Sequence, residues 1–255
     1  MFKKIFSKSY FYGGLGIFLV FSAAPFYIML ITMFKRSHDL FGPTNNPFWL
    51  NEAPTLEHLD LLFNQTLFPR FLLNTFLVGL AVVVITVLLA VPAAISLARL
   101  AGRWGESVGI GIFLTYLIPP TLLFIPLSRV VSFLGLQNSL WSLVLVYPTF
   151  TVPFCTWLLM SFFKSIPKDI EEQAMVDGYS RLGAIWRTVL PVSIPGLLTV
   201  VVFSFALTMH EFVYALAFVT SSQQKTISIG VTTELIRGDV FFWQSLMAAA
   251  ALVAI

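Results

Sequence analysis

Charged residues fall along this chain in clusters, and the intervals between them are long and apolar. Uncharged stretches cover residues 9–34, 71–98, 107–128, 130–163, 188–210 and 240–255. A helix needs about 20 apolar residues to cross the hydrocarbon core of a bilayer. Five stretches reach that length, and the sixth, "VFFWQSLMAAAALVAI", runs only from 240 to 255. The pattern predicts an all-α, polytopic membrane protein of six helices over about 10–34, 71–98, 107–131, 139–163, 191–219 and 240–255. The last span is expected to be cut short, with the natural chain continuing beyond it. Lys3, Lys4 and Lys8 precede the first stretch as in a secretory signal. Its apolar run far exceeds the about 7–15 residues of a signal core, so it reads as an uncleaved span.

Prolines punctuate the middle of the chain. Pro119, Pro120 and Pro126 in the third stretch, and Pro148 and Pro153 in the fourth, predict kinked helices. Residues 35–70 and 220–239 form the long connections on one side, and 164–190 a charged connection on the other.

That charged connection lies within "FKSIPKDIEEQAMVDGYSRLGAIWRTVLP", residues 163–191. Pro167 suits a helix start and Ser165 an N-cap, while Asp169, Glu171 and Glu172 crowd the first turns, where the helix dipole favours negative charge. Ile170, Ala174 and the Asp177–Gly178 end follow helical spacing, which gives one narrow small or apolar face. Gly178 can take the left-handed conformation that ends a helix, and Ser180 can cap a second one. The second helix carries Leu182, Ile185, Trp186 and Val189 on one face, and Pro191 opens the next span. A short helix, a glycine turn and an amphipathic helix make a stiff elbow, suited to passing force between a soluble partner and the membrane core.

Composition agrees with the spans: 58% of the 255 residues are hydrophobic and 11% charged, with a mean hydropathy of +0.88. A soluble domain carries about 25% charged residues. A net charge of +3, with no basic run interleaved with aromatics, gives no reason to expect nucleic acid. The single cysteine, Cys155, excludes an internal disulfide and reads as a small packing residue. Lysine and arginine placement orients the chain. With the N-terminus in the cytoplasm, Lys3, Lys4, Lys8, Arg99, Arg103, Lys164, Lys168, Arg181 and Arg187 lie inside; Lys35, Arg36, Arg70, Arg129, Lys225 and Arg237 lie outside. The charged elbow then faces the cytoplasm.

No catalytic or metal constellation emerges. His38, His58 and His210 lack H-E-x-x-H spacing, and "GYSRLG" has one residue too many for a nucleophile elbow. No G-x-x-x-x-G-K-[ST] phosphate loop occurs, and no glycine is followed by lysine. Any ATP hydrolysis is therefore expected in another chain.

The spacing Glu172-Gln173-Ala174, three residues, Gly178, nine residues, Thr188-Val189-Leu190-Pro191 resembles the cytoplasmic "EAA…G…I-x-LP" loop of ABC importer permeases. Gln173 stands where the family has its central alanine, and Thr188 where it usually has isoleucine. "IPLSRVVSFLGLQNSLWSLVLVYPTF", "FLLNTFLVGL", "MHEF" and "KTISIG…WQSLMAAA" extend the likeness to the carbohydrate-uptake, maltose-type branch over roughly residues 10 to 255. The resemblance implies a non-catalytic half-channel in a bacterial inner membrane. It implies pairing with a second homologous permease, two cytoplasmic ATPase subunits that bind ATP and magnesium, and an external substrate-binding protein. The solute it implies is a sugar, small oligosaccharide or related polyol derivative. A polyamine or glycerol phosphate permease is the alternative within the class. Outside it stand an ion-coupled secondary transporter and a scaffold without transport.

Candidate functional residues follow. Glu172, Ala174, Met175, Asp177 and Gly178 are expected to couple to the ATPase: Ala174 by permitting close approach, Gly178 by setting the turn, the acids by capping or pairing. Glu211 is the one carboxylate between the uncharged runs 188–210 and 212–224. An ionisable group inside a membrane is by default a functional candidate; a buried structural hydrogen bond is the competing reading. His210 sits about 100° round the helix from Glu211, so the two are not expected to share one pore. Tyr147, Phe150, Phe154 and Trp157 are the aromatic pore-lining candidates.

Overall fold

The structure is a computed structural model that describes residues 2–43, 46–237 and 240–254, with side chains for all of these except 2–9, 237, 240 and 241. The readings placed on Lys3, Lys4, Lys8 and Arg237 fall outside the described side chains. The chain is helical nearly throughout. The one extended pairing among the described residues is a two-residue antiparallel ladder, Ile236–Arg237 with Val240–Phe241.

Among the described residues, three helices are long and apolar enough to cross a membrane: Tyr10–Phe34, Phe68–Leu100 and Leu140–Ser165. Two further candidates are bent pairs, Trp104–Tyr116 with Pro120–Phe133 at 87°, and Arg181–Val192 with Ile194–Met209 at 69°. Trp243–Ala254 is a shorter apolar helix. The expected stretch 107–131 therefore breaks at residues 117–119, where Pro119 and Pro120 deny backbone donors to the preceding turn. The fourth stretch is interrupted only at Tyr147 and remains one span despite Pro148 and Pro153. Pro191 lies inside the Leu190–Val192 turn, and the bend into the next span falls at Ser193.

The chain divides into two compact units, residues 1–69 with 230–255, and residues 70–229. In the first unit the 2–34 helix packs on Trp243–Ala254. Its connection holds a buried ion pair: Lys35 Nζ lies 3.7 Å from Asp39 Oδ1, and both side chains are sealed from solvent. Asp39 also accepts hydrogen bonds from the Asn51 backbone amide (3.1 Å) and Asn51 Nδ2 (2.9 Å). Burial pushes the Asp39 carboxyl up, but these bonds and the Lys35 charge outweigh it and hold the group below its ordinary pKa of 3.8.

The second unit has two apolar cores. One gathers Val78, Val82, Val131, Leu143, Val146, Tyr147, Tyr214, Phe218 and Ile229. The other gathers Ala90, Ala94, Cys155, Leu159, Met160, Phe163, Ile185, Val189 and Val200. Small residues set the closest helix approaches: a Cβ on Gly196 would meet the Phe162 ring at 2.7 Å. The second core reaches the charged elbow through Ile166, Ile185 and Val189, so membrane helices and elbow share one packed interior.

Candidate functional site

The elbow's first helix begins at Asp169, two residues past Pro167. The 148–165 helix runs through Ser165, whose Oγ donates back to Phe162 O, so Ser165 is not an N-cap. The next helix is Asp169–Val176, and the Lys168 carbonyl accepts from the amides of Glu171 and Glu172. It ends in a Schellman motif: Tyr179 N donates to Ala174 O and Gly178 N to Met175 O, both at 3.1 Å. Gly178 has φ +94°, which a side chain resists through its own backbone, since a Cβ there would touch nothing within 4 Å. Ser180 then caps Arg181–Ala184, its hydroxyl accepting from Gly183 N at 3.2 Å. The helix continues through a π-turn, Ile185–Val189, to Leu190–Val192.

Only half of the expected apolar face of the second helix turns inward. Ala184, Ile185 and Val189 are buried, whereas Leu182 and Trp186 stand 61% and 67% exposed. On the first helix Ala174 is buried inside the chain, so its small size permits close approach of the elbow to its own fold. Glu172, Gln173, Met175, Val176, Asp177 and Gly178 face outward.

Sequence reasoning missed the residue that fixes this arrangement. Glu171, not Glu172, is the buried acid. Its Oε1 lies 3.3 Å from Arg181 Nε and its Oε2 3.9 Å from Arg99 Nε. Arg99, counted above only among the basic residues on the cytoplasmic side, sits in a π-turn at the end of the long 68–100 helix, its side chain 2% exposed. Arg99 Nη2 donates to the carbonyls of Phe163 and Ile166, 2.8 Å each, where the 148–165 helix ends; Phe163 O also accepts from the Ile166 amide at 3.3 Å. Arg181 Nη2 donates to Arg99 O at 2.6 Å. One carboxylate and two guanidinium groups thus tie the elbow to the ends of two membrane helices. A signal existed: Glu171 falls on the same helical stripe as Ile170 and Ala174.

A cavity of about 570 Å³ forms between two helix breaks, the one at 117–119 and the one at 210–212, where the 194–209 helix stops. It is lined by Thr115 to Pro120 and Leu123 at one break, by His210, Glu211 and Tyr214 at the other, and by Thr149, Phe150, Phe203, Ala206 and Leu207. His210 and Glu211 both line it, against expectation. The helix stops at Met209, and the turn at His210 removes the 100° offset that an unbroken helix would impose. The Glu211 carboxylate accepts from the amides of Tyr214 (2.9 Å) and Ala215 (3.0 Å), capping the short helix Val213–Phe218 that resumes beyond the break.

Of the four aromatic candidates only Phe150 lines the cavity. Tyr147 is fully buried in the first core. Trp157 stacks on Phe113 at 4.5 Å and Phe154 lies 5.1 Å from Tyr116, in a packed ladder between two helices. The lining is mainly apolar and aromatic with few polar groups, the usual make-up of a small-molecule site.

The family described as "Binding-protein-dependent transport system inner membrane component" matches residues 74–255. Similar proteins include the inner membrane ABC transporter permease protein YcjP of Escherichia coli, 31% identical over 99% of this chain and 90% of its own. The sulfoquinovosyl glycerol transport system permease protein SmoH of Agrobacterium fabrum is 34% identical over 94% of this chain and 83% of its own. The trehalose/maltose transport system permease protein MalG of Thermococcus litoralis is 28% identical over 91% and 82%. Among solved structures, a bacterial ABC transporter involved in import of the acidic polysaccharide alginate shares the fold. Its TM-score is 0.78 at 18% identity, over 98% of this chain and 91% of the other.

Proposed function

We infer a specific role for this chain, which belongs to the family of binding-protein-dependent transport system inner membrane components. Members are non-catalytic membrane subunits, and ATP is hydrolysed by partner chains. This member is one half of the translocation path for a sugar, small oligosaccharide or related polyol derivative. Relatives whose names carry carbohydrate solutes over most of their length support that class. The bent pair Trp104–Tyr116 with Pro120–Phe133 counts as one span, the fifth span lies within residues 191–219, beyond the elbow, and Trp243–Ala254 belongs to the sixth, with the N-terminus in the cytoplasm.

The observation that carries the coupling role is the clamped elbow. A helix that passes force must be fixed to what it moves and open to what moves it. The buried Arg99–Glu171–Arg181 cluster meets the first need, and the outward face of Glu172, Met175, Asp177 and Gly178 meets the second. In the assembled importer that face seats in an ATPase subunit, one of two, the second permease seating in the other. Closure of the ATPases on ATP moves the elbows, the bent spans swing about their breaks, and the cavity between Pro119 and Glu211 opens to the external binding protein. Hydrolysis resets it.

The test is a cross-link in the assembled complex. Met175→Cys paired with cysteines placed around the ATPase cleft should cross-link, and with a rate that changes when nucleotide is bound. No cross-link at any cleft position, with ATP-driven uptake intact, would remove the coupling assignment. Labelled sugars and polyamines presented with the cognate binding protein decide the solute class.

A further inference from the structure

The connection after the first helix does not rise away from the membrane; it folds back along that helix. Tyr27 Oη donates to Phe48 O at 2.8 Å. Tyr27 precedes the helix end at Phe34 by seven residues, about 10 Å along the axis at 1.5 Å per residue. The segment "NPFWL", residues 46–50, is therefore level with the upper part of the span.

Its side chains are apolar and bare: Phe48 is 52% exposed, Trp49 61% and Leu50 37%. The helix beside it is equally bare, with Phe18, Phe21 and Phe26 all more than half exposed. Aromatic residues bracket that helix. Tyr10, Phe11 and Tyr12 stand exposed near one end and Phe26 and Tyr27 near the other. From Phe11 to Tyr27 is about 24 Å, close to the separation of the aromatic belts that flank a hydrocarbon core of about 30 Å. Phe48 and Trp49 extend the second belt sideways.

The backbone of the segment suits a low-dielectric boundary, where unpaired polar groups are costly. The Phe48 carbonyl takes the Tyr27 hydroxyl, and the Phe48 amide donates to Asn46 Oδ1 at 2.9 Å. The Asn46 carbonyl accepts Lys35 Nζ at 2.6 Å, and Pro47 has no amide to satisfy. Immediately after Leu50 the chemistry reverses: Asn51 bonds the buried Asp39, and Glu52 pairs with exposed His38 at 3.0 Å. An apolar tip ends abruptly in a polar, pinned base.

We propose that Phe48, Trp49 and Leu50 form a membrane-interface anchor, seated at the boundary of headgroups and acyl chains beside the first helix. The Lys35–Asp39–Asn51 cluster holds the tip at that depth. The anchor fixes the first span's depth and does not depend on which solute is carried.

The test uses the complete transporter in lipid nanodiscs. Nitroxide labels at Trp49→Cys and, as a water-side control, Glu52→Cys are placed in a Cys155→Ala background. Accessibility to oxygen relative to a water-soluble nickel chelate should be severalfold higher at 49 than at 52. A ratio at 49 equal to that at 52 puts the tip in water and overturns the proposal. Shielding of 49 from both reagents does so as well, by showing that a protein partner covers it. If the labelled variants fail to assemble, Trp49→Phe in the otherwise natural chain replaces them. Quenching of tryptophan emission by lipids brominated near the headgroup should fall in that variant, and unchanged quenching overturns the anchor.

Discussion

Neutralising Glu171 should free the elbow without disturbing the spans. Glu171→Gln keeps shape and hydrogen-bonding reach but withdraws the charge facing Arg99, whose side chain is 2% exposed. Leaving a buried ion without its partner costs about 3–5 kcal/mol. The lower end applies, because the Arg99 Nε to Glu171 Oε2 separation is 3.9 Å and Arg99 keeps its bonds to Phe163 O and Ile166 O. Arg181 is 55% exposed, so its share is at most ~1 kcal/mol. A loss of ~3 kcal/mol raises the local opening equilibrium roughly a hundredfold, at about 1.4 kcal/mol per factor of ten. Hydrogen exchange on the complex in nanodiscs reads this directly. Amides of 169–176 should lose protection by that factor while those of 75–90 stay unchanged. ATPase stimulation by the liganded binding protein should fall in step. The double variant Glu171→Leu with Arg99→Met should recover only part of the protection, because an apolar pair needs no counter-charge but methionine leaves Phe163 O and Ile166 O without the guanidinium donor. If the single variant exchanges at the natural rate, the clamp does not hold the elbow and the reasoning fails.

Gly178→Val should abolish ATP-coupled uptake and Gly178→Asn should retain part of it, since only the backbone at φ +94° resists a side chain there; uptake into proteoliposomes measures both. Glu211→Ala should lower thermal stability by about 1–2 kcal/mol through loss of the cap on Tyr214 and Ala215, with Glu211→Gln milder. A Glu211→Ala variant of full stability but altered solute KM would instead assign the carboxylate to the ligand. Gly196→Ala should destabilise by about 1–3 kcal/mol, because the added Cβ would press on the Phe162 ring at 2.7 Å; a melting curve decides. The Asp39 carboxyl, held below 3.8, contributes stability that is complete above that value and lost as the pH falls through its native one. Exchange at the Asn51 amide, corrected for intrinsic rate, should therefore be flat from neutral pH down to about 5 and rise only below about 4.

What the sequence could decide was whatever depends on local composition and spacing. Long uncharged runs require a lipid solvent whatever their neighbours are, so the helices near 10–34, 71–98 and 139–163 were legible from hydropathy alone. The same holds for the turn at Gly178 and the cap at Ser180, because a left-handed residue and a capping hydroxyl act within four residues of themselves. The breaks at 117–119 and 210–212 were half legible. Prolines announced the first, whereas "TMHEF" carries no helix breaker, and the Glu211 carboxylate is answered by the turn that follows it. The tertiary structure alone decided which charges are buried. Arg99 and Glu171 lie 72 residues apart in the chain; helical spacing puts Glu171 on the inward stripe, but only the fold brings Arg99 to it. Lys35 looked like an ordinary loop cation until Asp39, Asn46 and the chain around them enclosed it. A charge's worth depends on the dielectric and partners brought to it by distant segments, and that information exists only once the chain has folded.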